Sequence, residues 1–109
     1  MLEKLKQKYS DTGHERLGFI LSEGEVVELD NAHDVPQHGA KYSSSDLFRY
    51  MFSGDFTVKA TWHTHPSETK NLSGDDYVAF KNYPDIDHYV IGNDGVRRYY
   101  VEEGVLKHE

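Results

Sequence analysis

Two histidines one residue apart, His63 and His65, are followed at once by Pro66 and further along by Asp76. On an extended strand, residues i and i+2 point to the same face, so both imidazoles can address one ion. Pro66 ends the strand, and Asp76, read in the first turn of a following helix, can bring an oxygen as the third donor. Two imidazoles and one carboxylate leave a coordination position for water, the donor pattern of a catalytic rather than a closed structural zinc site. The chain contains no cysteine, which removes thiolate ligands, a cysteine nucleophile and a disulfide framework together. The expected cofactor is therefore Zn2+, one per chain, bound through histidine and carboxylate alone.

Positioning these groups requires a strand, a helix and a surrounding layer. Leu2, Leu5 and Tyr9 fall at helical spacing, and the pattern predicts an amphipathic helix over residues 2–10 covering one side of a sheet. The turn-rich Ser10-Asp11-Thr12-Gly13 leads into a strand from Arg16 to Leu21, with Glu15 at its entrance. A turn at Ser22-Glu23-Gly24 returns the chain antiparallel through Glu25 to Leu29. Asn31 to Tyr42, with His33, Pro36, His38 and Gly39, reads as an irregular surface loop.

Ser43 or Ser44 can cap a helix with Leu47, Phe48, Met51 and Phe52 on a core face, stopped by Gly54. Strict alternation from Phe56 to Trp62 would send Phe56, Val58, Ala60 and Trp62 to one side of a strand and His63 and His65 to the other. A helix from Gly74 to Asn82 follows, with Tyr77, Val78 and Phe80 as packing candidates. Strands at 86–92 and 96–102 then flank the hairpin signal Asn93-Asp94-Gly95. The expected architecture is α+β, a small mixed, curved β-sheet flanked by two or three helices.

The spacing His-x-His-Pro, then Ser73-x-x-Asp76, resembles the signature of the JAMM (MPN-plus) zinc metallopeptidases. That family pairs the signature with an upstream Glu-x-x-Gly-apolar stretch, matched here by Glu15-Arg16-Leu17-Gly18-Phe19-Ile20-Leu21. The resemblance covers most of the chain and implies an MPN/JAB-like single domain over residues 1–109, of the small prokaryotic or phage type, with cytidine-deaminase-like layering. It implies hydrolysis of a peptide or isopeptide bond by a metal-activated water, with His63, His65 and Asp76 as ligands. Glu15 would be general base and then acid, and Ser73 a hydroxyl donor to the tetrahedral oxyanion. Substrates in the family are proteins or peptides, among them ubiquitin-like modifiers and cell-wall peptides. The chain has little room for the insertions by which ubiquitin-specific members grip their substrate.

Plainer readings stand beside these. Ser73-Gly74-Asp75-Asp76 also has the form of a helix N-cap with an acid near the positive helix end. Glu23, Glu25 and Glu28 compete with Glu15, which is favoured through the Glu-x-x-Gly match. His14, His33, His38, His88 and His108 fit no ligand spacing and read as loop, surface or hairpin residues. Other His-x-His scaffolds fit less well: amidohydrolase barrels need about 250 residues, cupin sites need a second downstream histidine motif, and the metallo-β-lactamase run is broken by Ser67. A different class of function is a non-catalytic, zinc-containing binding or assembly module, such as a phage-tail or complex subunit. A metal-free structural domain would require the whole signature to be coincidence.

At 109 residues there is room for one domain and one modest core. With 19 acidic and 12 basic residues the net charge is −7, which disfavours nucleic acid as a partner. No apolar run reaches the roughly 20 residues that span a bilayer, and Met1-Leu2-Glu3-Lys4 lacks a signal-peptide core. The expectation is a cytoplasmic protein without a membrane partner.

Overall fold

A computed structural model describes residues 2–10, 13–34 and 39–109. Six strands form one sheet: β1 (Leu17–Leu21), β2 (Val26–Leu29), β3 (Val58–Thr64), β4 (Asp87–Gly92), β5 (Gly95–Glu102) and β6 (Val105–His108), in the order β2-β1-β3-β4-β5-β6. Only β3 and β4 run parallel; the other neighbours are antiparallel. The helices are α1 (Leu2–Lys6), α2 (Ser44–Leu47), which continues as a π-helical turn at Phe48–Phe52, and α3 (Gly74–Asn82), in the crossover a parallel pair requires. The fold is a mixed α+β architecture. Among the described residues no helix is long and apolar enough to cross a membrane.

β1 is buried along its whole length because it lies between β2 and β3. Its odd residues and its even residues serve different cores. Ile20 joins Leu5, Ala60, Trp62, Tyr89 and Ile91 on the α1 side, whereas Phe19 and Leu21 join Tyr50 beneath α2. Gly18 makes room for Trp62: a Cβ there would overlap the Val27 carbonyl oxygen and come within 2.7 Å of Trp62 Nε1. That indole nitrogen donates to the Val27 carbonyl at 3.2 Å.

Several expected details are corrected. α1 ends at Lys6 rather than residue 10; one turn supports few internal hydrogen bonds, so it is held by Leu5, fully buried, with Tyr9 packed beside it. The alternation expected through Phe56–Trp62 breaks at Lys59. Ile20 pairs with Ala60 but Leu21 with Val58, a bulge that adds one residue to β3. Val58 and Phe56 therefore pack with Leu21 and Tyr50, opposite Ala60 and Trp62.

In the second helix the Ser53 N–H reaches the Phe48 carbonyl, an i→i+5 bond of 2.8 Å. This wide turn shifts the helix face: Tyr50 turns inward with Leu47 and Met51, leaving Phe48 and Phe52 exposed. In α3 only Phe80 of the expected trio is buried; Tyr77 and Val78 face outward. β6, following a turn with positive φ at Glu103 and Gly104, was not anticipated. Residues 31–34 and 39–42 are irregular, as expected, while Pro36 and His38, like Asp11 and Thr12, lie outside the described residues.

Candidate metal centre

β3 carries the histidines by the anticipated parity. Thr61, His63 and His65 face the α2/α3 side of the sheet, and all three are buried. The chain leaves β3 through a turn in which the Glu68 N–H bonds the His65 carbonyl at 3.1 Å, with Pro66 and Ser67 central and Ser67 at φ 60. Those are the positions of a type II turn.

Across the sheet, Leu17 pairs with His63, and Arg16 and Thr64 exchange two bonds, Thr64 N–H to the Arg16 carbonyl at 2.8 Å and Arg16 N–H to Thr64 Oγ1 at 2.9 Å. The same register sets Glu15 opposite His65. Asn31 anchors it there, its amide donating to the Glu15 carbonyl at 2.9 Å and to the Gly39 carbonyl at 2.8 Å.

α3 supplies Asp76. Ser73 is its N-cap: the hydroxyl accepts from the Asp76 N–H at 3.2 Å, and the Ser73 N–H donates to Asp76 Oδ2 at 3.0 Å, a complete capping box. The capping box leaves the carboxylate facing the site, where it meets both histidines. Asp76 Oδ1 lies 3.1 Å from His63 Nε2, and Oδ2 lies 3.1 Å from His65 Nε2. The two Nε2 atoms are themselves 3.1 Å apart. Glu15, His63 and His65 each offer a donor atom, all within 4.8 Å of one another.

The Asp76 carboxylate straddles the pair, one oxygen on each imidazole, while the two Nε2 atoms face each other. Lone pairs converging this way repel unless a cation sits among them, either a proton or a metal ion. Glu15, His63 and His65 form a buried group whose donor chemistry could hold a metal ion, with Asp76 against both imidazoles.

Burial and the neighbouring charges pull the proton affinities of these groups in different directions. Burial raises the Glu15 pKa, with Asp76 and Glu68 acting in the same direction and the histidines opposing. For His65 burial works against protonation, but the Asp76 carboxylate outweighs it and the pKa is raised. Burial alone would raise Asp76; hydrogen bonds from His63 and His65 reverse this and hold its carboxyl far below the usual carboxylate range.

Of the sequence-singled residues, the structure brings Glu15, His63, His65 and Asp76 together. Ser73 is exposed at the cap of α3; its hydroxyl uses a lone pair there and keeps its proton to donate. His88, grouped from sequence with loop, surface or hairpin residues, lies on β4 of the β4–β5 hairpin and is fully buried. It accepts through Nδ1 from Thr61 Oγ1 at 2.8 Å, donates through Nε2 to the Tyr83 carbonyl at 3.0 Å, and stacks on Phe80. Its position two residues before Val90 in an alternating strand was the available signal. Nothing local marked Asn31 as the anchor of Glu15.

No family model matches the chain, and no curated protein does. Among solved structures, a solution structure of a protein from Desulfitobacterium hafniense matches with TM-score 0.65 and 18% identity, over 100% of this chain and 82% of that one. A solution structure of a protein from Salinibacter ruber matches with TM-score 0.55 and 14% identity, over 99% of this chain and 84% of that one. At such identities the likeness concerns the fold.

Proposed function

We propose that this chain is a zinc-dependent metallopeptidase of the JAMM (MPN-plus) type, hydrolysing a peptide or isopeptide bond in a protein or peptide substrate. The observation that carries the reading is the meeting of the His63 and His65 Nε2 atoms, 3.1 Å apart, with one Asp76 oxygen 3.1 Å from each and Glu15 beside them. His63, His65 and Asp76 would hold the ion. When bound, zinc supplies Lewis acidity and an acidified water.

The chain's own residues do the rest. Glu15, its proton affinity raised by burial, takes the proton of the attacking water and passes it to the leaving amine. The Ser73 hydroxyl donates to the oxygen that becomes negative as the carbonyl turns tetrahedral, a contact worth about 3 kcal/mol if well aligned. A cytoplasmic location and an MPN-like fold belong to the same proposal.

The test begins with elemental analysis of untagged protein purified without chelator. About one zinc per chain is expected, lost in His63→Ala and in Asp76→Ala. Hydrolysis of a peptide and ubiquitin-like fusion library should then fall by about 10²–10⁴-fold in Glu15→Gln while zinc is retained. No zinc after reconstitution would overturn the reading. Zinc bound without turnover of any library member, together with partner binding indifferent to Glu15→Gln, would replace it with a zinc-containing assembly module.

A further inference from the structure

The segment from Pro66 to Leu72 joins His65, one residue past the end of β3, to the cap of α3 and contains neither helix nor strand. It is fastened instead to the β4–β5 hairpin. The His65 N–H bonds the Ile91 carbonyl and the Asn93 N–H bonds the Glu68 carbonyl, both at 2.8 Å. The Lys70 N–H donates to Asp94 Oδ1 at 2.8 Å, and its ammonium donates to the Asp94 carbonyl at 3.1 Å. Tyr99 donates its hydroxyl proton to the Lys70 carbonyl at 2.9 Å and accepts from the Leu72 N–H at 3.0 Å. Two elements bearing proposed ligands are thus spaced by a hairpin that bears none.

One of these fastenings reaches a proposed ligand. His65 Nδ1 lies 3.1 Å from the Thr69 carbonyl oxygen. A carbonyl has no proton to give, so Nδ1 carries it and Nε2 is the nitrogen presented to His63 and Asp76. The Thr69–Lys70 peptide rests directly on Gly92, where a Cβ would overlap Lys70 N and the Thr69 carbonyl carbon and stand 2.8 Å from the Thr69 oxygen. Gly92 is not among the glycines with positive φ; its missing side chain provides space rather than backbone freedom.

We infer that Gly92 and Asp94 are positioning residues for the metal centre: together they seat the Thr69–Lys70 peptide at the height where its carbonyl fixes the tautomer and orientation of His65. This rests on the metal site proposed above. Gly92 sets the closest approach and Asp94 pulls the peptide down onto it. Neither touches the ion.

The test compares zinc dissociation constants, by competition with a chelating dye, for the wild type, Gly92→Ala, Asp94→Ala and Asp94→Asn. The visible spectrum of the Co2+ form and the metal-free thermal midpoint are recorded beside them. Gly92→Ala is expected to weaken zinc by about 10–100-fold and to change the cobalt ligand-field band; Asp94→Ala should act in the same direction by about 10-fold. Asp94→Asn should restore affinity, because its amide oxygen still accepts from Lys70. A role in stability alone would lower the thermal midpoint and leave the zinc constant of the folded protein and the cobalt band at wild-type values, which would overturn the inference. Should Gly92→Ala not fold, the Asp94 pair decides: loss in Ala with recovery in Asn supports the inference, and equal affinities overturn it. A wild type that binds neither ion would overturn the metal site, and this inference with it; a wild type that binds while all variants match it overturns this inference alone.

Discussion

The two faces of the sheet do different jobs with the same strands. Toward α1, Leu5, Ile20, Ala60, Trp62, Tyr89 and Ile91 form an apolar cluster. Toward α2 and α3, the intervening residues of those strands include Thr61, His63, His65 and His88, all buried, with Glu15 at the rim. A buried polar group costs several kcal/mol unless partnered, and no buried side-chain polar atom among the described residues lacks a partner. Apolar clusters also pack on the α2/α3 side, around Phe19 and Tyr50 and around Phe80, Val90 and Tyr99. What strand parity separates is the buried histidines, which are confined to that side and kept out of the cluster beneath α1.

The most forceful way to break that separation is Trp62→Ala. It should cost about 3–5 kcal/mol of stability, read from the denaturant midpoint, while zinc affinity per folded molecule changes little. A large loss of affinity would show that the faces are coupled. Gly18→Ala sharpens the comparison at a residue that belongs to the Glu-x-x-Gly pattern but faces the α1 side. Its Cβ overlaps the Val27 carbonyl and crowds Trp62, so it should destabilise by about 1–3 kcal/mol. If the β1 shift reaches Glu15, turnover falls more than zinc content, which a hydrolysis assay beside elemental analysis would separate.

On the polar side, burial lowers the pKa of His88 below its ordinary 6.5, so the fold favours the neutral ring. Its contribution is complete above about pH 6.5 and is lost as pH falls through the folded value. The raised pKa values of His65 and Glu15 act in the opposite sense on the metal-free protein, so the His88 part is read as a difference. The gap between wild type and His88→Gln, from urea midpoints, should be about 1–3 kcal/mol at about pH 7.5 and should narrow toward about pH 5. A gap that does not change with pH would show that the ring is not held neutral. The smallest effect is expected outside both faces: Val78→Ser, on the exposed side of α3, should stay within about 0.5 kcal/mol by thermal unfolding.

The sequence disclosed most where one period governs. The alternation that puts His63 and His65 on one face survives, because the β-bulge at Lys59 lies upstream of both. Asp76 and its helix start were legible because cap chemistry is local. Phe56 and Val58 changed sides because a bulge is a property of pairing with β1, not of the strand alone. The exposure of Phe48 and Phe52 follows from a π-helical turn, which helical periodicity cannot register. His88, Asn31 and Gly92 act through partners far along the chain: Thr61, the Glu15 carbonyl and the Thr69–Lys70 peptide. Distance in sequence hid them.

The sheet's register also gives the molecule a direction. Since β1 runs against β3 while β4 runs with it, Glu15, His65 and the Gly92–Gly95 turn gather at one end, and the turns at Ser22–Gly24, 53–57, 84–86 and 103–104 gather at the other. For an engineer this is a front and a handle. A reporter domain spliced at Glu103–Gly104 should leave metal uptake intact, whereas the same insertion between Asn93 and Asp94 should abolish it. The difference would be read as zinc per folded chain in the two fusions.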